Sequence, residues 1–296
     1  MTRAARGASA LRACTVAAGL ALVASSAPLA RAAAAEPSSA GPADAFPGTA
    51  AAYLVRIDGD DRWSANAASR QRPASLTKIL TALVVVESRA SGEVVVSRRA
   101  ASADGARVGL KPGMRLTVGD LLAAMLLRSA NDACVALAEH VAGGEAAFVA
   151  RMNARAAELG LADTRLVNAC GFDADGHYAS ARDLARLAEV ALAQPAIAAI
   201  AAREKGEART RDGRIFRFDN TNALIGRVDG ARGLKTGWTR LAGRCLVAAA
   251  ERDGVRVLVV LLGAPDRWWD AVAMIESAFD DAKARRAARP PSPRPS

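Results

Sequence analysis

Apolar residues recur at helical spacing in several stretches of the chain. The clearest stretch is 75–87, where five apolar side chains would share one helical face: Leu76, Ile79, Leu80, Leu83 and Val84. Three further helices are predicted at about 118–127, 132–141 and 145–159. Ser180 and Asp183 form a capping box that opens a helix to about residue 193, which Pro195 limits. A closing helix is predicted from 266 to about 283.

Short β-branched runs at 51–57 and 93–97 predict strands. Two turn pairs, Asp212-Gly213 within 207–218 and Asp253-Gly254 within 244–262, predict β-hairpins. In the second hairpin, residues 255, 257, 259 and 261 are all apolar and the opposite face is only partly polar. This strand is therefore predicted to be central and covered on both sides. The element order predicts an α+β fold, an antiparallel sheet flanked by helices with a helical insertion.

Both ends of the chain differ in composition from its body. Residues 1–32 combine early arginines, an uncharged stretch from 13 to 30 and an Ala30-Arg31-Ala32 cleavage pattern, which predicts a signal peptide. An uncleaved membrane anchor is the alternative, but Ser25, Ser26 and Pro28 interrupt the apolar run. Residues 33–47 are predicted to be a flexible leader, and 283–296 a disordered, basic, proline-rich tail.

Composition and charge restrict the function classes. Of the 296 residues, 51% are hydrophobic and 24% charged, which is typical of a globular protein. The formal charge is +10, but four arginines lie in 1–32 and five basic residues in 283–296, which leaves +1 for residues 33–282. Aromatic residues make up only 4%, so nucleic-acid binding is not predicted. A weak contact of the basic tail with an anionic wall or membrane surface stays open.

The cysteines and histidines predict no metal site or cofactor. Cys14 falls in the signal peptide, and the spacing of Cys134, Cys170 and Cys245 matches no zinc pattern. Because three cysteines cannot all pair, we interpret them as small buried apolar residues, with a Cys170–Cys245 bridge as the alternative. The only histidines, His140 and His177, lie near no nucleophile elbow, so a Ser-His-Asp triad is disfavoured.

Lysine is scarce, and its positions are informative. Only five of the 40 basic residues are lysines: Lys78, Lys111, Lys205, Lys235 and Lys283. Arginine stays protonated in proteins, whereas a buried lysine can lose its proton and act as a base. A chain that otherwise uses arginine should keep lysine mainly where arginine cannot replace it.

Two of these lysines lie in short motifs that suit acyl transfer. Lys78 follows Ser75 by three residues at a predicted helix start, so its amine can reach the serine hydroxyl and activate it. An exposed helix-start pair is the structural alternative. Ser129-Ala130-Asn131 lies between two predicted helices, where simple N-capping is the alternative. The third motif, 235–237, is Lys-Thr-Gly, whose glycine permits close backbone approach.

In this order, S-x-x-K, S-x-N and K-T-G resemble the motif set of penicillin-binding proteins and serine β-lactamases. The chain is most similar to the low-molecular-mass penicillin-binding D-alanyl-D-alanine carboxypeptidases, also over 129–161, 176–184, 220–224 and 228–246. The resemblance covers essentially residues 48–282. It implies that this segment is one catalytic domain with the DD-peptidase/β-lactamase-like fold.

The resemblance implies three catalytic residues. Ser75 would attack the substrate carbonyl and form an acyl-enzyme, with Lys78 as its general base. Ser129 would relay a proton toward the leaving amine. We expect the charge of Lys235 to depress the pKa of Lys78 and so favour its neutral form.

The resemblance also implies the substrate-binding residues. Asn131 would hydrogen-bond the substrate amide, and Lys235 and Thr236 would bind its terminal carboxylate. Gly237 would admit the substrate backbone, and the N–H group of Trp238 would complete an oxyanion hole with that of Ser75.

The implied function is a bacterial serine DD-carboxypeptidase, exported to the periplasm or cell envelope. It would remove the terminal D-alanine from peptidoglycan stem pentapeptides and be acylated by β-lactams. Two alternatives stay open: a DD-endopeptidase that cuts cross-links, and an inactive penicillin-binding scaffold. Cys170 stands where relatives often have histidine, and His177 is interpreted as structural. Because 164–170 contains no acid that would activate water, we expect β-lactams to leave slowly.

Overall fold

A computed structural model describes residues 44–288 of the chain. The predicted signal peptide, residues 33–43 of the predicted leader and the final residues 289–296 lie outside this described part. The predictions made for those segments therefore stay predictions.

The described residues form a five-stranded antiparallel sheet in the order β2-β1-β9-β8-β7. Its strands are β1 (Ala52–Ile57), β2 (Asp60–Ala65), β7 (Ala231–Thr239), β8 (Gly243–Arg252) and β9 (Val255–Leu262). Two small antiparallel pairs lie apart from it: β3 (Glu93–Val95) with β4 (Arg115–Thr117), and β5 (Lys205–Arg209) with β6 (Ile215–Asp219). Both predicted hairpins are confirmed, although the first forms its own sheet.

Strand β9 is central and buried on both faces, as its sequence predicts. Val259 lies opposite Val55 of β1 and Ala248 of β8. One face of β9 packs in the layer with α8 (Arg267–Ala287), through Val255, Val257, Val259 and Leu261. The other face joins the larger core, through Leu258, Val260 and Leu262. Burial of apolar surface on both faces stabilises β9, the strand that pairs with both β1 and β8.

The helical insertion lies between β2 and β5 and forms most of the larger core. Its helices are α1 (Lys78–Glu87), α2 (Arg98–Ala101), α3 (Val118–Leu127), α4 (Asn131–Ala142), α5 (Glu145–Glu158), α6 (Ala181–Leu192) and α7 (Pro195–Ala201). The predicted cap of α6 is confirmed, because the Asp183 N–H donates to Ser180 Oγ at 3.1 Å. Gly143 ends α4 in the left-handed conformation with φ +74°. The α+β prediction is confirmed.

Three local predictions differ from the structure, and one strand, β2, was not predicted. The helix predicted from residue 75 begins as a 3₁₀ turn, Ala74–Thr77, before α1. Strand β2 has the polar sequence DDRWSA, which gives no alternating signal. Pro195 limits α6 but also opens α7, since a proline is tolerated in the first helical turn. Helix α8 continues to Ala287, so the tail prediction is wrong for its first five residues.

No single helix within residues 44–288 is long and apolar enough to cross a membrane, and two bent helix pairs meet that test only when combined.

Candidate active site

Ser75 lies in the 3₁₀ turn before α1 and is half-buried. The preceding residue, Ala74, has φ +48°, a left-handed conformation that is costly for a non-glycine residue. Its carbonyl oxygen accepts a hydrogen bond from the Thr77 hydroxyl at 2.9 Å. Gly171 packs so closely against this carbonyl that any Cβ there would overlap the oxygen. Tertiary contacts therefore hold the serine turn in a conformation that its own sequence does not favour.

The amine of Lys78 is the best-defined group of the site. Nζ lies 3.1 Å from Ser75 Oγ, 2.7 Å from Asn131 Oδ1 and 2.5 Å from the carbonyl oxygen of Cys170. The residue is fully buried, at 0% exposure. All three partners are neutral, so no carboxylate holds the proton on the amine. The arrangement suits a base that takes the serine proton.

Burial is the main cause that lowers the pKa of Lys78 well below its usual value, and the nearby Lys235 is the second. The sequence-based expectation named only the charge of Lys235. Burial also lowers the pKa of Lys235 itself, to about 7, with Arg267 as the second cause. Near neutral pH, Lys235 is therefore only partly protonated, so its repulsion of Lys78 is weaker than a full charge would give.

The second motif supplies one close partner of Lys78. Asn131 is the first residue of α4, and its Nδ2 donates to the Asp104 carbonyl at 2.5 Å while its Oδ1 accepts from Lys78. Each polar atom of this amide thus has one protein partner and keeps one further N–H or lone pair, so the predicted contact with a substrate amide stays a prediction. Ser129 has φ +62°. Its hydroxyl makes no hydrogen bond to any residue of the described range 44–288.

The third motif lies on β7, the edge strand beside the serine turn. An ideal Cβ on Gly237 would lie 3.2 Å from the Ser75 nitrogen and 3.1 Å from the Ala74 Cβ. A side chain here would push the serine turn away by a few tenths of an ångström, so glycine favours this close approach. The backbones of the two predicted oxyanion donors, Ser75 and Trp238, are thereby brought to neighbouring positions. The Trp238 side chain is 64% exposed.

The hydroxyl of Thr236 is not free. Its Oγ1 lies 2.7 Å from Thr221 Oγ1, which also lies 3.0 Å from the Leu127 carbonyl. Because Thr221 has one hydroxyl proton and donates it to that carbonyl, Thr236 must donate to Thr221. To donate to a bound carboxylate, the Thr236 hydroxyl would have to rotate and give up its hydrogen bond to Thr221.

Arg267, at the start of α8, is a residue of the site that the sequence analysis missed. Its Nη1 donates to the Gly237 carbonyl at 2.8 Å, so it holds β7 from behind. It is also the charged neighbour that helps to lower the pKa of Lys235. The available signal was weak: an arginine shortly after a buried strand, which many surface arginines share.

His177 is structural, as expected. Its Nδ1 accepts from the Val167 N–H at 3.1 Å, which leaves Nε2 protonated to donate to the Thr77 hydroxyl at 2.8 Å. Thr77 in turn donates to the Ala74 carbonyl. Burial lowers the pKa of His177 to about 4, so it stays neutral at physiological pH. This chain of hydrogen bonds supports the turn that carries Ser75.

The interpretation of the cysteines is wrong for two of the three. Cys134 and Cys170 form a disulfide with a Cα–Cα distance of 6.0 Å, and the Cys170–Cys245 alternative is excluded. Cys245 is free and buried, as expected. No local pattern encodes the distance between α4 and the loop at 168–172, so the pair close enough to bridge was not predictable.

At the edge of the antiparallel sheet, a serine hydroxyl lies beside a buried lysine amine that has neutral hydrogen-bond partners. This arrangement defines a serine-peptidase type of site. The family model described as D-alanyl-D-alanine carboxypeptidase, peptidase S11, matches residues 62–266. The chain belongs to this family.

Curated relatives and solved structures agree with this assignment. The chain is 36% identical over 238 residues to D-alanyl-D-alanine carboxypeptidase DacF of Bacillus subtilis, covering 77% of this chain and 61% of DacF. It is 35% identical to DacB2 of Mycobacterium tuberculosis, covering 70% and 74% of the two chains. The chain therefore spans less than two thirds of DacF.

Two solved structures share the fold over nearly their whole length. The Streptomyces K15 DD-transpeptidase is 27% identical with a TM-score of 0.74, covering 81% of this chain and 99% of that one. Penicillin-binding protein D2 of Listeria monocytogenes, in its ampicillin-bound form, is 30% identical with a TM-score of 0.69, covering 78% and 97%.

Proposed function

We propose that the protein is a serine DD-carboxypeptidase that removes the terminal D-alanine from peptidoglycan stem pentapeptides through an acyl-enzyme. One observation carries the proposal: the buried Lys78 amine lies 3.1 Å from the Ser75 hydroxyl and, among residues 44–288, has only neutral hydrogen-bond partners. Membership of the D-alanyl-D-alanine carboxypeptidase family supports the choice of substrate.

In the proposed first step, neutral Lys78 takes the Ser75 hydroxyl proton as the oxygen attacks the carbonyl of the penultimate D-alanine. The N–H groups of Ser75 and Trp238 stabilise the oxyanion. The C–N bond then breaks, and the leaving D-alanine amine receives a proton through Ser129. Ser75 is half-buried and Trp238 is exposed, which supports access of a substrate to this path.

Recognition of the terminal carboxylate is assigned to Lys235 and Thr236. Lys235 is buried, and its amine has one protein acceptor, the Thr236 carbonyl at 3.0 Å. A bound carboxylate would pair with this ammonium group and raise its pKa from about 7, which favours the charged form when substrate is present.

Penicillin and related β-lactams carry a comparable carboxylate and a reactive amide, so we propose that they acylate Ser75. The ampicillin-bound form of the Listeria relative supports this extension. The proposal places the mature enzyme in the bacterial periplasm or cell envelope, where its peptidoglycan substrate lies.

The name of the Streptomyces K15 relative points to a second possible acceptor of the acyl group. That relative is a DD-transpeptidase, in which an amine, not water, takes the acyl group. A DD-endopeptidase would use the same machinery on a cross-linked dimer.

Purified protein incubated with a pentapeptide muropeptide and with a cross-linked dimer separates these activities. We expect release of D-alanine from the pentapeptide by the wild type and none by Ser75→Ala. Loss of dimer without release of D-alanine would replace the carboxypeptidase proposal with the endopeptidase. An inert wild type that still binds penicillin would identify a scaffold.

A further inference from the structure

The Cys134–Cys170 disulfide belongs to the same two segments of chain that contact the Lys78 amine. Cys134 belongs to α4, three residues after Asn131, and Cys170 belongs to the loop 168–172. Both half-cystines are buried. The bridge therefore joins the two segments of chain that supply acceptors to Lys78: Asn131 Oδ1 on the helix and the Cys170 carbonyl on the loop.

The loop has no regular secondary structure of its own, so its position depends on a few contacts. Asn168 Oδ1 accepts from the N–H groups of three following residues, Cys170, Gly171 and Phe172, which fixes the local shape. Ala169 bonds to Glu145 through its N–H and to Thr81 through its carbonyl. Within residues 44–288, the disulfide is the one cross-link between this loop and α4.

Closure of this loop also keeps water from the amine. Gly171 packs against the Ala74 carbonyl, and the Cys170 carbonyl is 2.5 Å from Nζ of Lys78. A loop that moved away would remove an acceptor and admit solvent to a lysine whose protonation depends chiefly on burial.

We propose that the Cys134–Cys170 disulfide is a positioning element of the active site, which holds the Cys170 carbonyl and the Asn131 amide at a fixed separation around the Lys78 amine. The inference rests on the proposed acyl-enzyme function, since the rate of Ser75 acylation is its readout. It predicts that the enzyme reaches full activity only after the two thiols have been oxidised, each losing one electron and one proton to a disulfide-bearing oxidant.

The first test is the pairing itself. Peptide mapping of the native protein, alkylated without reduction, should give a linked peptide that contains Cys134 and Cys170, with Cys245 alkylated after unfolding. A Cys170–Cys245 peptide, or three alkylated cysteines, would overturn the inference.

The second test compares Cys134→Ala/Cys170→Ala with the wild type in acylation by a fluorescent penicillin between pH 6 and 10. We expect the rate at pH 7 to fall by about tenfold or more, because hydration raises the pKa of Lys78 and each unit by which it then exceeds the assay pH reduces the neutral fraction about tenfold. The deficit should shrink at high pH. Cys245→Ala, which loses an equally buried sulfur but no bridge, should keep the pH profile of the wild type.

A purely stabilising bridge would give a different result. The double variant would then show a lower melting temperature, and its folded fraction would react at the wild-type rate at every pH, which would contradict a positioning role. Circular dichroism at each pH measures that fraction. If the wild type itself is not labelled, the proposed function fails; if wild type and double variant share one profile, only this inference fails.

Discussion

The two buried lysines of the site show how similar burial can serve different chemistry. Lys78 is 0% exposed and Lys235 is 1% exposed, and burial is the main cause that lowers the pKa of each. Their partners differ. Lys78 is surrounded by three neutral oxygens, whereas Lys235 has one backbone acceptor and the guanidinium of Arg267 nearby.

The difference agrees with the proposed roles, in which Lys78 is the neutral base and Lys235 binds the substrate carboxylate. Neutral oxygens accept the hydrogen bonds of Lys78 but do not stabilise its protonated form as a carboxylate would. The amine can therefore be neutral and act as a base. The Lys235 amine can donate a further hydrogen bond, and the guanidinium of Arg267 lies nearby. A substrate carboxylate can fill that place, and the comparison can be tested by changing one lysine or its partner at a time.

The largest effect is expected for Lys78→Arg. Arginine keeps a positive charge but does not deprotonate in a protein, so the base is lost while the charge stays. Acylation by a fluorescent penicillin should fall by about 10²- to 10⁴-fold, the usual contribution of a general base. Circular dichroism serves as the folding control. A rate within tenfold of the wild type would show that Lys78 is not the base.

Asn131→Asp should make Lys78 resemble an ordinary ion-paired lysine. A carboxylate in place of Oδ1, 2.7 Å from Nζ, would raise the pKa of Lys78 and keep it protonated at neutral pH. We expect acylation at pH 7 to fall by about ten- to a hundredfold and the rate profile to move to higher pH. Asn131→Ala is the control, since it removes the acceptor without adding charge and should show no such alkaline displacement.

Lys235→Gln should weaken carboxylate recognition, while the main cause that lowers the pKa of Lys78, its burial, stays in place. Hydrogen bonds to charged groups contribute about 1.5–3 kcal/mol, so kcat/KM for an acyl-D-Ala-D-Ala peptide should fall by about ten- to a hundredfold. The same peptide with a C-terminal amide should lose much less. Lys235→Arg, which restores a cation, should recover part of the preference for the carboxylate. An equal loss for acid and amide would show that Lys235 does not read the carboxylate.

The smallest effect is on the pH dependence of stability. Lys235 has a pKa of about 7 in the folded protein against 10.5 for an ordinary lysine, so between these values the unfolded chain binds more protons. The free energy of unfolding should therefore rise with pH, by about 1.4 kcal/mol per unit for this one group.

Urea denaturation between pH 7 and 8.5 measures this slope, below the range in which buried Cys245 opposes it. Lys235→Met should reduce the slope by about one proton's contribution, whereas Lys111→Met, at an exposed lysine, should not. Equal slopes in the Lys235→Met and wild-type proteins would contradict the lowered pKa of Lys235.

Local sequence signals predicted the elements with strong local causes. The Ser180 cap of α6 and the alternation along β9 each gave a correct prediction, because each depends on neighbours within a few residues. The serine-lysine spacing likewise placed the Lys78 amine within reach of Ser75.

Features created by distant parts of the chain were not predictable in this way. The left-handed Ala74 is held by Thr77, His177 and Gly171, and the Cys170 acceptor of Lys78 comes from 92 residues away. The Cys134–Cys170 bridge and the contact of Arg267 with Gly237 have the same origin. Each needs three-dimensional proximity that no short motif encodes.

The pairing of β9 with β1 has a consequence for how activity arises. The final strand of the sheet, at 255–262, completes it against the first strand, at 52–57, so a growing polypeptide cannot close the sheet until nearly all of the domain has emerged. Contacts of such long range are slow to form. Newly made molecules should therefore stay inert toward cell-wall peptides until synthesis or translocation has delivered that last strand.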